Sequence, residues 1–436
     1  MAFREFDQPQ VSRRSLLRGG LLLGAGTALA GVPLGRQLMA HGHAASWPAI
    51  RATVESYVAE GKVANMLATM GWGQNDPEVI ARGVLTLGRN VPADQDSLYR
   101  IYSMTKPITG IAAMMLVEDG KLALDQPLAE ILPAYANMMV QKEYDGGIGE
   151  GDLVPAERPI TIRQLLTHTA GLGYGIIQKG PIRAAYEERG LVPGQVSRVP
   201  IPGLGRAQAV GSLEAFANGL AKVPLVLQPG AKWSYSVSLD LLGRVIEVAS
   251  GQSFDAFLKA RLFDPLGMTS TFFRVPESEQ GRFTTNYGIL NGMPLPIDPA
   301  DSSIYLDEPA FPFGGAGLVS SPRDYDRFQR MLVGGGALEG TRVMAEATVR
   351  LATSNLLPEG AETVATWVAG EGFGAGGRVT GTAFGWGGAA GTAAFVDMAS
   401  GLRAALFTQY MPSEAYPIQR GFPDLVMQDL AAMKGA

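Results

Sequence analysis

Ser103-Met104-Thr105-Lys106 opens a segment whose apolar residues recur with helical spacing as far as about Glu118. A serine and a lysine three positions apart on a helix share one face, about one turn apart. The start of a helix favours a developing alkoxide, and a serine hydroxyl needs a nearby base before it can attack. Ser103 is therefore a candidate nucleophile with Lys106 as its partner. Alone the S-x-x-K pattern is a weak signal, because an N-cap serine followed by a surface lysine produces it too.

A tyrosine motif lies later in the chain, directly before a second segment of clear helical periodicity. It reads Tyr235-Ser236-Val237. A tyrosine beside an ammonium group can act as a general base and acid. The alternative is a packed aromatic side chain, and Tyr102 and Tyr174 are rival candidates for the same role. On the residues alone, both possibilities stay open.

A third motif, Trp386-Gly387-Gly388, is followed by Ala389 near the C-terminal end. Glycines on an edge strand let a substrate approach the backbone closely. A main-chain N–H at this place could complete an oxyanion hole together with the N–H of Ser103. A glycine-rich hairpin with a core tryptophan would give the same pattern.

The composition excludes several classes of site. The 436 residues contain no Cys, which rules out a thiol nucleophile, a disulfide framework and a Cys-ligated metal centre. The histidines are His41, His43 and His168, and the threonines and glycine turn around His168 indicate a structural imidazole. The sequence has no nucleophile elbow, phosphate-binding loop or dinucleotide fingerprint, and it suggests no cofactor and no metal.

Residues 1–45 have the layout of a secretory signal, with paired arginines inside residues 12–18. The segment resembles a twin-arginine export signal, which implies the twin-arginine export machinery as a partner. A membrane anchor is the alternative, but the uncharged run is rich in glycine and shorter than the ~20 residues that span a bilayer. We expect cleavage near Ala44 and release of a periplasmic or secreted protein without stable membrane insertion.

The expected mature chain is acidic. The whole chain has a formal charge of −5, and residues 1–45 carry five Arg against one Asp and one Glu, so their removal leaves −8. Without a basic block, such a chain is not expected to bind nucleic acid. The cut would also leave His168 as the remaining histidine, so a Ser-His-Asp triad would have to use it.

Strands are predicted at both ends of the mature chain and helices in its middle, which favours one sheet built from both termini with a helical insert. The predicted strands are at 62–72, 79–88, 382–387, 393–399 and 403–410. The predicted helices are at 103–118, 161–166, 238–250, 254–262, 322–333 and from 416 onwards. Residues 141–159 and 175–210 are rich in Gly and Pro and are predicted to be loops.

The order of the three motifs resembles that of penicillin-recognising serine enzymes. Further stretches resemble signatures of the class C β-lactamase-related family, at 160–172, 229–236, 264–268 and 314–321. The resemblance implies an α+β fold of the β-lactamase/transpeptidase type, an antiparallel sheet flanked by helices with a mostly helical second region. It implies one domain over 46–436, with a sheet region at about 46–100 and 315–436 and a helical region at about 101–314.

The same resemblance implies roles for the motif residues. Ser103 would be the acylated nucleophile, Lys106 its partner and Tyr235 the general base, so that together they replace the histidine of a triad. The main-chain N–H groups of Ser103 and Ala389 would bind the oxyanion.

Two departures from the β-lactamase pattern bear on the substrate. Where β-lactamases of this class have an amide-binding Asn, this chain has Val237, and where they have a Lys it has Trp386. A neutral indole cannot replace an ammonium group for an anion, and loss of such a contact costs about 1.5–3 kcal/mol. The two altered motifs are similar to those of family VIII carboxylesterases. This implies a small-molecule ester substrate, usually with a short acyl chain, next to Trp386, Gly387, Gly388 and Val237.

We therefore expect an exported serine carboxylesterase. The sequence leaves three alternatives: a β-lactamase or D-Ala peptide hydrolase with an Arg in place of the missing cation, an acyltransferase that uses an alcohol instead of water, and a non-catalytic binding protein on the same scaffold.

Overall fold

The computed structural model describes residues 47–199 and 208–435. The predicted export signal at 1–45, with His41 and His43, lies outside the described residues. Among the helices within the two described ranges, none is both long and apolar enough to cross a lipid bilayer.

A seven-stranded antiparallel sheet lies at the centre of the fold, and its strands come from both ends of the described chain. In chain order, the strands are β1 (Asn65–Trp72), β2 (Glu78–Gly83), β3 (Tyr99–Arg100), β4 (Met139–Gln141), β5 (Leu153–Pro155), β6 (Thr271–Phe272), β7 (Asn286–Leu290), β8 (Met293–Asp298), β9 (Val319–Ser320), β10 (Ala337–Leu338), β11 (Thr341–Arg342), β12 (Gly372–Phe373), β13 (Arg378–Thr380), β14 (Ala383–Gly388), β15 (Thr392–Asp397), β16 (Leu402–Phe407) and β17 (Tyr410–Met411). The central sheet has the order β12-β13-β14-β15-β16-β1-β2, and the other strands form small two- and three-stranded sheets.

Helices cover both faces of the central sheet and fill the middle of the sequence. They are α1 (Pro48–Ala59), α2 (Thr105–Glu118), α3 (Ile162–Leu166), α4 (Gly180–Glu188), α5 (Leu213–Leu220), α6 (Ser238–Ser250), α7 (Phe254–Leu258), α8 (Asp264–Leu266), α9 (Pro322–Val333), α10 (Glu346–Ala352) and α11 (Ile418–Gly435). A π-helical turn, Lys259–Phe263, joins α7 to α8. These elements confirm the predicted α+β class.

The sheet separates two apolar cores. On one face α1 and α11 pack together, with Ile50 and Phe422 in the same buried cluster as Met66 of β1. On the other face lies the larger core, which includes α2 and much of the helical middle of the chain. Helix α2 is buried from Thr105 to Leu116, so it is apolar on nearly all sides, as expected for a helix enclosed by other elements.

Most of the predicted elements are present, and one predicted loop is wrong. The prediction of a loop over 175–210 missed α4 at Gly180–Glu188. In α4, Pro181 occupies the first turn, where a missing N–H costs nothing, and Ile182, Ala185 and Tyr186 form its buried face. The loop predicted at 141–159 contains part of a short β4–β5 hairpin. The predicted boundaries between a sheet region and a helical region stay a prediction.

Candidate active site

Ser103 lies in a 3₁₀ turn, Tyr102–Met104, that leads directly into α2. The residue before it, Tyr102, has φ = 42°, in the left-handed region that a bulky L-residue rarely adopts. Backbone strain of this kind concentrates at functional sites, where the surrounding structure maintains it. The turn leaves Ser103 half-buried at the N-terminal end of α2, with its hydroxyl available to neighbouring groups.

Lys106 lies one turn further along and has no exposed surface. Its Nζ donates hydrogen bonds to Ser103 Oγ at 3.1 Å and to the carbonyl oxygen of Gly315 at 2.7 Å. The predicted partnership of Ser103 and Lys106 is therefore present as a direct contact.

Tyr235 reaches the same serine from a distant part of the sequence. Its hydroxyl donates to Ser103 Oγ at 2.7 Å, and Lys106 Nζ lies 4.6 Å from the centre of its ring. The loop that carries Tyr235 is held by a hydrogen bond from the Ser234 N–H to the carbonyl oxygen of His168 at 2.9 Å. The three predicted catalytic side chains thus meet at one oxygen atom.

His168 supports this loop and makes no contact with the serine hydroxyl among the described hydrogen bonds. It is buried, with φ = 55°, and its Nδ1 is 2.9 Å from Ser236 Oγ. Its ring centre is 4.9 Å from that of Tyr235. Burial lowers the pKa of His168 well below its usual value, and the charge of Lys106 acts in the same direction. Burial therefore favours the neutral imidazole, and its structural role stays a prediction.

Strand β14 brings the third motif to the same place. A Cβ atom on Gly388 would lie 2.2 Å from the carbonyl oxygen of Ile101, so the strand approaches the Ser103 turn as closely as only glycine permits. The following residue, half-buried Ala389, packs against the apolar cluster that contains Tyr102, and its oxyanion-binding role stays a prediction. Trp386 is half-buried and its Nε1 is 3.5 Å from the Tyr235 hydroxyl.

Val237, the fourth predicted substrate contact, differs from the other three. Its side chain has no exposed surface and belongs to the main apolar core. It precedes α6 as the N-cap residue, and this backbone position turns the side chain away from solvent. Trp386 and Gly388 therefore lie beside the site in this structure, and substrate contacts at Gly387 and Val237 stay predictions.

Sequence reasoning missed several residues around Lys106, Tyr235 and Trp386. Buried Asp240 in the first turn of α6 accepts a hydrogen bond from the Gly315 N–H at 2.8 Å. Trp367 adds a second half-buried indole, with its ring centre 5.0 Å from that of Tyr235. Arg378 of β13 lies over Trp386, with its guanidinium carbon 5.4 Å from the ring centre. Two features of the sequence could have indicated part of these surroundings. Asp240 is an acidic residue shortly after the tyrosine motif, and residues 314–317 are rich in glycine.

An antiparallel sheet with a helix-borne serine and lysine, and a tyrosine on the serine oxygen, defines the class of β-lactamase-related serine hydrolases. The chain belongs to the β-lactamase family, whose model matches residues 26–423. This finding confirms the family that the motifs suggested.

Individual relatives agree with this assignment. Protein Rv1367c of Mycobacterium tuberculosis is 36% identical over 277 residues, 64% of each chain, so the chain spans about two thirds of that relative's length. Esterase EstB of Burkholderia gladioli is 31% identical over 360 residues, 75% of this chain and 81% of the esterase. The solved structure of EstCE1, described as a hydrolase with promiscuous acyltransferase activity, has a TM-score of 0.68 at 24% identity. It covers 85% of this chain and 96% of its own, and at this identity it supports the fold.

Proposed function

We propose that the protein is a serine carboxylesterase that hydrolyses short-chain acyl esters through an acyl-enzyme on Ser103. The observation that carries the proposal is the pair of hydrogen bonds to Ser103 Oγ, 2.7 Å from Tyr235 and 3.1 Å from Lys106. The similarity to Esterase EstB supports an ester as the substrate.

The contacts suggest how the proton moves. The proposed base is Tyr235 as its phenolate, with Lys106 Nζ 4.6 Å from the centre of its ring. The phenolate oxygen takes the proton of Ser103 as Oγ attacks the ester carbonyl carbon. The N–H groups of Ser103 and Ala389 stabilise the oxyanion. Collapse breaks the bond to the leaving alkoxide, which takes the proton from Tyr235. A water molecule then gives its proton to the same phenolate as its oxygen attacks the acyl carbon. Collapse breaks the bond to Ser103 Oγ, which takes the proton back from Tyr235, and the carboxylic acid is released.

The surroundings of the serine favour an uncharged ester over a β-lactam carboxylate. The indole rings of Trp367 and Trp386 both pack against the ring of Tyr235. Arg378 is the nearby cation that could replace the missing lysine, but it is already engaged. Its Nε is 3.0 Å from the carboxylate of Glu371, and it donates to the carbonyl oxygen of Trp367 at 2.6 Å. A guanidinium held in this way offers little to a substrate anion.

A paired assay tests the proposal. Mature protein and Ser103→Ala are each mixed with p-nitrophenyl butyrate and with a chromogenic cephalosporin at matched concentrations. We expect ester turnover to exceed cephalosporin turnover in the wild type, and to fall by about 10³-fold or more in Ser103→Ala. Turnover that persists without Ser103, or faster cephalosporin hydrolysis, would overturn the proposal.

Hydrolysis and acyl transfer share the same acyl-enzyme and differ in the nucleophile that removes the acyl group. We propose water as that nucleophile. Adding a primary alcohol during butyrate turnover should therefore leave butyric acid as the main product. A butyrate ester of the added alcohol as the main product would instead indicate an acyltransferase.

We further propose that residues 1–45 direct export through the twin-arginine machinery, supported by the arginine pair and the uncharged run that follows it. Replacing Arg13 and Arg14 with Lys should retain the protein in the cytoplasm of an expressing bacterium. N-terminal sequencing of exported wild-type protein should find a new terminus near Ala44. Export of the double-lysine variant at the wild-type level would contradict this assignment.

A further inference from the structure

A buried carboxyl group lies next to the lysine of the site and takes no part in the steps proposed above. Asp240 has no exposed surface. Its Oδ1 accepts a hydrogen bond from the Gly315 N–H at 2.8 Å, while its Oδ2 has no hydrogen-bond partner among the described residues. Burying a carboxylate in this state is unfavourable unless a nearby positive charge compensates it.

Gly315 connects Asp240 to Lys106. Its N–H donates to Asp240, and its carbonyl oxygen accepts from Lys106 Nζ at 2.7 Å. A Cβ atom on Gly315 would lie 2.5 Å from Oδ2 of Asp240, so this close approach requires glycine. The Thr109 hydroxyl donates to the carbonyl oxygen of Gly314 at 2.7 Å, which fixes the peptide whose N–H binds Asp240.

The two buried charges also act on each other through space. Burial raises the pKa of Asp240 to about 6, and the Lys106 ammonium group opposes that rise. Above this pH the carboxyl group is ionised, and its negative charge attracts the Lys106 side chain. The other titratable groups that face this pair are the Ser103 hydroxyl, the neutral His168 and the phenols of Tyr174 and Tyr235.

We propose that Asp240 is a positioning residue for the reaction at Ser103. Its carboxylate holds Gly315 against Lys106 and supplies a negative charge that offsets the positive charge of the lysine. Asp240 contacts no substrate and exchanges no proton in the reaction, and it acts only through Lys106. The inference rests on the proposed function, because it assigns Asp240 to the same acyl transfer.

Asp240→Asn tests the charge while preserving size and an oxygen atom for the Gly315 N–H. Activity on p-nitrophenyl butyrate is followed from about pH 5 to about pH 10, and kcat and KM are separated. We expect kcat to fall about tenfold or more with KM changed by less than about twofold. We also expect the kcat/KM profile to move towards lower pH, because the site loses a negative charge.

Asp324 offers a matched control. It is also buried, burial raises its pKa to about 6, and its Oδ2 accepts from the Ser270 N–H and the Thr271 hydroxyl. Asp324→Asn makes the same chemical change away from Lys106, and it should keep the wild-type pH profile even if the protein becomes less stable. A shift of equal size in this control would overturn the inference.

Two further readouts separate the possible failures. A folded Asp240→Asn enzyme that reacts with a fluorophosphonate at Ser103 and keeps the wild-type profile overturns the role of Asp240 alone. Wild-type enzyme that does not react at Ser103 overturns the proposed function and this inference with it. If Asp240→Asn does not fold, Asp240→Ser removes the same charge with a smaller side chain and carries the same comparison.

Discussion

At the scale of single residues, the hydroxyl of Tyr235 is the group whose loss is most informative. Tyr235→Phe keeps the ring contacts with Trp367 and Trp386 but removes the hydrogen bond to Ser103 Oγ. We expect kcat for p-nitrophenyl butyrate to fall about 10²–10⁴-fold, the range for a lost general base, with the thermal midpoint little changed. A variant within about threefold of wild-type kcat would show that Lys106 alone activates the serine.

His168 predicts a pH dependence of stability. Its pKa in the folded protein lies below that of the unfolded chain, so the unfolded state binds more protons as the pH falls below about 6.5. The wild type should therefore lose stability with falling pH through this group. Asp240 and Asp324 have raised pKa values and act in the opposite direction, since their contribution is lost as the pH rises towards about 6.

His168→Asn isolates this contribution, because asparagine tolerates the left-handed φ of the position. The variant should be less stable than wild type at pH 8, since it loses the ring contacts with Tyr235 and Trp233. The difference should shrink as the pH falls towards 5, because the variant has no imidazole to protonate. Chemical denaturation at several pH values measures it, and a difference independent of pH would contradict the prediction.

Local spacing identified Ser103 and Lys106, family resemblance identified Tyr235 although it lies 132 positions from Ser103, and Asp240 had neither signal. Ser103 and Lys106 are on one helix, so their spacing alone places them together. Asp240 and Gly315 are 75 positions apart, and no local pattern joins them. A role cannot be carried over from a family motif when the residue at that position has changed. Val237 stands where β-lactamases of this class have a polar Asn, and its apolar side chain is buried in the core.

At the scale of elements, the proposed oxyanion-binding N–H groups of Ser103 and Ala389 depend on the close approach of β14 to the Ser103 turn. Gly388→Ala would put a methyl group 2.2 Å from the Ile101 carbonyl oxygen and 2.3 Å from Thr392 Oγ1. Backbone strain does not enter, because Gly388 has no positive φ. The strand must shift, and a displacement of about 1 Å in such a site can cost about 10²-fold in rate.

We therefore expect Gly388→Ala to reduce kcat strongly and KM weakly. Gly421→Ala in α11 is the matched control, because a Cβ there meets nothing within 4 Å. The control should keep wild-type kcat and gain about 0.5–1 kcal/mol of stability from the better helix residue. Equal kinetics in the two variants would refute the placement of Gly388 at the site.

Elements with strong local periodicity were predictable and others were not. Helix α6 was predicted with its observed bounds, since its buried stripe and its glycine C-cap are both local features. Helix α4 was missed, because Gly180 and Pro181 at its start look like turn residues and its buried face has only a few members. Short strands such as β9 depend on distant partners for their existence.

At the scale of the whole molecule, the two ends of the described chain close the fold together. The sequence predicted a sheet built from both termini. It did not predict the contact between α1 and α11, the two helices that cover one face of this sheet. The first turn of α1 has no side-chain cap of its own at Trp47. Instead Asp429 of α11 accepts hydrogen bonds from the Ala49 N–H at 2.8 Å and the Ile50 N–H at 3.1 Å. A carboxylate at this position both satisfies free N–H groups and complements the helix dipole.

Asp429→Ala should therefore lower the free energy of unfolding by about 1–2 kcal/mol, the usual effect of losing an N-terminal cap. Asp424→Ala provides the control, since Asp424 is exposed on the same helix, and it should stay within about 0.5 kcal/mol of wild type. Both variants should retain wild-type kcat, because α1 and α11 cover the sheet face opposite the core that contains α2. Denaturant unfolding with parallel ester assays measures both quantities. Loss of activity without loss of stability in Asp429→Ala would contradict this expectation. It would show that the contact between α1 and α11 influences the geometry of the active site as well as the stability of the fold.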